Sequence, residues 1–89
     1  MTGNQSVIFG VARDPNGQPV TEARVYFING PAPFPEIAAL TDSSGGFSLS
    51  APAAGIYQIE CAADGFASTV VIVNVTSGQD AQVEIRLRK

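Results

Sequence analysis

The chain has 89 residues, 45% of them hydrophobic and 15% charged, with a net charge of −3. That is the length of one domain, read here as residues 1–89, with a composition too apolar for a disordered tail. Arg86, Arg88 and Lys89 crowd at the C-terminus and only Arg13 and Arg24 lie elsewhere, so no basic stripe follows a phosphate backbone, and apolar runs such as VVIV at 70–73 fall far short of the roughly 20 residues a membrane helix needs.

Period-two alternation dominates, and no stretch shows the helical period. In chain order the predicted strands are SVIFGVAR (6–13), ARVYFIN (23–29), EIAALT (36–41), GFSLS (46–50), IYQIECAA (56–63), FASTVVIVNV (66–75) and AQVEIRLR (81–88). The opening MTGNQSVIF has neither the basic leader nor the apolar stretch of a signal peptide. The chain as written is therefore expected to be cytoplasmic or a segment cut from an exported protein. In the second strand Ala23, Val25 and Phe27 share the inner face and Tyr26 points outward. In the fifth, Tyr57, Ile59 and Cys61 share one face, and in the last Val83, Ile85 and Leu87 oppose Gln82, Glu84, Arg86 and Arg88.

Turn signals separate the strands: DPNGQP at 14–19, GPAPFP at 30–35, DSSG at 42–45, PAAG at 52–55, DG at 64–65 and TSGQD at 76–80. In TDSSGGFSLS (41–50) the carboxylate of Asp42 suits the amides two residues on, and Gly45 suits a positive φ. Seven short strands at this spacing predict an all-β sandwich.

Three segments carry a resemblance. FGVARDPNGQPVTEARVYF contains a glycine in the first strand, an Asp-x-x-Gly-x-Pro-Val turn and an Ala-x-Val opening the second. TDSSGGFSLSAPAAGIYQIECAADGF contains Thr-Asp-x-x-Gly-x-Phe, Pro-x-x-Gly-x-Tyr and Asp-Gly-Phe in order. Together these resemble the carboxypeptidase regulatory-like domain over nearly the whole chain. The resemblance implies a transthyretin-like (prealbumin-like) Greek-key sandwich of seven strands, a non-catalytic accessory role, and an exported or cell-surface setting.

The residues restrict chemistry independently. With no histidine in the chain, neither a Ser-His-Asp nor a Cys-His arrangement can be built, and one cysteine cannot make a zinc site. No metal or cofactor is expected. Cys61 follows the inward pattern of a buried, inert thiol, and the only lysine, Lys89, is terminal, which excludes an isopeptide bond from a strand lysine. Asp14, Asn16 and Asp42 are oxygen-rich turn residues, too few to gather a tight calcium site. NVT at 74–76 fits the N-glycosylation acceptor pattern but is short enough to arise by chance.

The sequence thus predicts a structural or protein-interaction module that rigidly presents the loop at 30–35 and an edge strand to a protein partner or parent polypeptide. The alternative is a carbohydrate-binding module whose candidate ligand contacts are Tyr26 and Phe34. TVVIV is a flat apolar stretch that would aggregate at a bare edge. It is expected to be central, or covered on its outward side by a partner.

Overall fold

The computed structural model describes residues 6–31 and 38–89, which form seven strands and no helix. These are β1 (Ser6–Arg13), β2 (Arg24–Asn29), β3 (Ala39–Leu40), β4 (Gly46–Ala51), β5 (Gly55–Ala62), β6 (Thr69–Val75) and β7 (Ala81–Arg86). One sheet has the order β4-β1-β7 and the other β3-β2-β5-β6. The chain crosses between sheets after β1, β3, β4 and β6, giving a Greek-key sandwich.

The inner parity of every long strand feeds one core. Ile8, Val25, Tyr57, Ile59, Cys61 and Ile85 have no solvent exposure, and Phe27, Phe47 and Leu49 close around them. Phe27 and Tyr57 meet at 5.1 Å between ring centroids with a 45° tilt, a geometry worth about 0.5–1.5 kcal/mol beyond area burial. Gly10 lies mid-strand in β1, opposite Val83 of the parallel strand β7. A Cβ there would overlap the main-chain carbonyl of Val83, so only glycine lets these two backbones lie side by side.

Several strands differ from their sequence patterns, three of them for evident local reasons. Residues 36 and 37 of the stretch 36–41 lie outside the described residues; among the rest Ala39–Leu40 form β3, and Thr41 after it clamps the loop before β2. Its buried Oγ1 accepts from the Ala23 amide at 2.9 Å and donates to the Val20 carbonyl at 2.6 Å. β6 starts at Thr69 rather than Phe66, since the Phe66 amide closes a turn onto the Ala63 carbonyl at 3.1 Å and its ring packs against the core. The last strand ends at Arg86 because the Leu87 amide turns to the Arg13 carbonyl and the Arg88 carbonyl accepts from the Ala67 amide.

Tyr57 also pins the turn before its own strand. Its hydroxyl donates to the Ala53 carbonyl at 2.6 Å and accepts from the Ala53 amide at 3.0 Å. Tyr57→Phe leaves both groups without that partner, and should destabilise the domain by about 1–3 kcal/mol. Urea denaturation checks this; an unchanged midpoint would mean that water replaces the hydroxyl at no cost.

Candidate functional site

The polar residues that the sequence groups most conspicuously are occupied by turns. In the turn after β1 Asp14 Oδ1 accepts from the amides of Asn16 and Gln18, both at 2.9 Å. In the TDSSGG stretch Asp42 Oδ1 accepts from Ser44 at 2.9 Å and Gly46 at 2.8 Å. Each turn closes with a glycine at positive φ, 84° at Gly17 and 78° at Gly45, which a side chain rarely adopts. The two loops are one device used twice: the aspartate folds its own turn, and that oxygen is spent.

A cleft of about 340 Å³ at the same end is lined by Asp14, Glu22, Asp64 and Phe66 among others. Among the described residues no group of three or more His, Cys, Asp or Glu side chains is arranged to hold a metal ion. Cys61 is buried, and burial pushes its thiol up, against a smaller opposing pull from Arg24. It stays protonated and unreactive at neutral pH.

Tyr26 lies half-buried on the outer face of β2, directly opposite Glu60 of β5. Burial raises its phenol above the ordinary range, and Glu60 adds to the shift through its charge and a hydrogen bond. Phe34, the other candidate ligand contact, and most of the loop at 30–35 lie outside the described residues. The structure therefore places Tyr26 beside Glu60, a cross-strand neighbour that local sequence spacing does not reveal.

The outer faces of the two sheets differ in kind. On the three-stranded sheet Ser48, Ser50, Gln82 and Glu84 surround Val7 and Phe9. There the Glu84 carboxylate binds Arg13 at 3.0 Å and Arg86 at 3.6 Å. On the four-stranded sheet Ile28, Leu40, Ile56, Val70 and Ile72 point outward, from 40% to 68% exposed, interspersed with Arg24, Tyr26, Gln58, Glu60 and Asn74. Of the seven large hydrophobic residues exposed among the described residues, five sit on this one face. Its last strand, β6, is at the edge of the sheet rather than in its centre, and Val70 and Ile72 project from it into solvent. A cluster of exposed apolar side chains on a defined face marks an interaction surface, and an unpaired edge offers main-chain groups to a strand.

Residues 7–88 match the profile of the carboxypeptidase regulatory-like domain. A search of curated proteins returned no match. Among solved structures, the Bacillus anthracis TIE protein superposes with a TM-score of 0.75 at 16% identity, over 97% of this chain and 17% of that one. The minor pilin GBS52 of Streptococcus agalactiae gives 0.71 at 17% identity, over 97% and 45%. Hydroxyquinol 1,2-dioxygenase from Pseudomonas putida DLL-E4 gives 0.73 at 12% identity, over 99% and 57%. The chain spans well under two thirds of each of these proteins, and at such identities the likeness is one of fold.

The Tyr26–Glu60 pair has a measurable signature. Glu60→Gln removes the charge and should lower the Tyr26 pKa towards about 10, followed by the ring resonances in an alkaline NMR titration. Because the folded value lies above the unfolded one, the associated stability is complete below the unfolded pKa and drains as pH rises through the folded value. The variant should lose less stability over that alkaline range; an unmoved Tyr26 titration would show that Glu60 does not act on the phenol.

Proposed function

The chain belongs to the carboxypeptidase regulatory-like domain family, and from that premise we propose that it serves as a single non-catalytic module that binds protein through the outer face of its four-stranded sheet. The observation that carries this reading is the grouping of Ile28, Leu40, Ile56, Val70 and Ile72 on that face. The opposite sheet exposes only Val7 and Phe9 of this kind among the described residues, beside the Arg13–Glu84–Arg86 ion pairs. Burying apolar side chains of this kind stabilises an association by about 25 cal/mol per Å² removed from water, before the cost of immobilising the partners.

The aspartate turns and the Thr41 clamp hold the sandwich rigid, so little is spent on ordering it during binding. A minor pilin of a Gram-positive pathogen among the similar structures supports an exported or cell-surface setting and a partner that is itself protein. No described helix is long and apolar enough to cross a membrane. Carbohydrate binding through Tyr26 and Phe34 is the competing reading; Tyr26 is the one aromatic on this face among the described residues, and its hydroxyl is engaged by Glu60.

Two measurements separate these readings. A photo-crosslinking residue placed at Leu40 or Ile72 should capture a protein in the cells of the source, while the same residue at Ser48 or Gln82 should not; capture from the polar sheet alone would contradict the assignment. Titration with a panel of oligosaccharides should leave the Tyr26 amide unshifted. Saturable shifts that Phe34→Ala abolishes would establish the carbohydrate reading in its place.

A further inference from the structure

Natural sheets protect their edges with short strands, prolines, inward charges, bulges or covering segments. β3, at one edge of the four-stranded sheet, has two residues. β6, at the other edge, runs for seven, and TVVIVNV contains no charged residue, proline or glycine. The C-terminus covers only its approach, where Ala67 pairs with Arg88.

The hydrogen bonds at the start of β2 show which main-chain groups are open. The Ala23 carbonyl accepts from the Thr41 amide, on the β3 side. Successive residues of a strand present their N–H and C=O groups to alternate sides. Arg24 therefore faces β5 at its partner Ala62, and alternation along β5 turns Tyr57, Ile59 and Cys61 to their partners Val73, Val71 and Thr69 in β6. The main-chain groups of Val70, Ile72 and Asn74 are then aimed at the open side.

We propose that β6 pairs antiparallel with β6 of a second copy of this chain, about a two-fold axis at Ile72. The proposal rests on the reading that the four-stranded sheet is the binding face, and names its partner. An antiparallel dyad at Ile72 sets Val71 opposite Val73 of the second copy and Val70 opposite Asn74, with Ile72 facing its own equivalent. Every pair joins positions of the same parity, so outward side chains stay outward and inner ones stay inner. The strand brings no charge to the junction, although each chain carries −3. A two-fold contact needs a patch complementary to itself, and this near-symmetric uncharged strand is one. The joined sheets would have eight strands, and Val70, Ile72 and Ile56 of both copies would form one continuous apolar band.

Sedimentation equilibrium of the intact chain should give twice its 9.2 kDa mass; a monomer at every concentration overturns the pairing. Val70→Pro removes an open-side N–H, and should yield a folded monomer by its amide spectrum. Leu40→Lys changes the face far from β6 and should remain dimeric. A dimer lost in Leu40→Lys but kept in Val70→Pro would overturn edge pairing and leave the face as the interface. If Val70→Pro does not fold, Ile72→Cys decides: mild oxidation should link two chains through the dyad, with wild type, whose Cys61 is buried, as the unlinked control. Absence of that link overturns the proposal. A monomeric protein that still cross-links to another protein from Leu40 would retain the face reading without the homodimer.

Discussion

Each strand of this sandwich changes sides with every residue, and both sheets share one core, so an apolar side chain at the outward parity can only face water or a partner. Most of the chain obeys that constraint in the ordinary way. In β4 Phe47, Leu49 and Ala51 are buried and Ser48 and Ser50 are exposed. β6 does not: Val73 and Val75 fill the core while Val70 and Ile72 stand in solvent on the opposite side. The outward apolar positions of β6, β5, β3 and β2 then fall on a single face, and that coincidence separates an interaction surface from scattered exposed residues.

The polar residues serve the opposite purpose. Asp14 and Asp42 each fold a turn by accepting two main-chain amides, Thr41 ties two connections together, and Tyr57 fixes the turn ahead of its own strand. No buried side-chain nitrogen or oxygen among the described residues lacks a hydrogen-bond partner. These groups spend their hydrogen-bonding capacity on rigidity, and rigidity is what a module that presents a surface requires.

Strand number and inner parity were legible because patterns such as Val83, Ile85 and Leu87 against Gln82, Glu84 and Arg86 distinguish two faces residue by residue. VVIV carries no such contrast, since both parities are apolar, so its position in the sheet could not be read from periodicity. Edge status follows from strand order, which is set by long-range pairing. The same limit hid Glu60 from Tyr26, 34 positions earlier in the numbering but adjacent across β2 and β5. The pattern also overran strand ends: FAS at 66–68 continues an apolar-polar rhythm, yet the core claims the Phe66 ring and Arg88 claims the Ala67 amide.

The proposed function makes the apolar face and its open edge, rather than the turn loops, the working surface of this domain. Amide hydrogen exchange measured residue by residue at rising protein concentration tests that most directly. The account predicts slowing at the open-side amides of Val70, Ile72 and Asn74, with the turn amides of Asn16 and Ser44 unchanged. Slowing confined to those turns, or no dependence on concentration along β6, would contradict it.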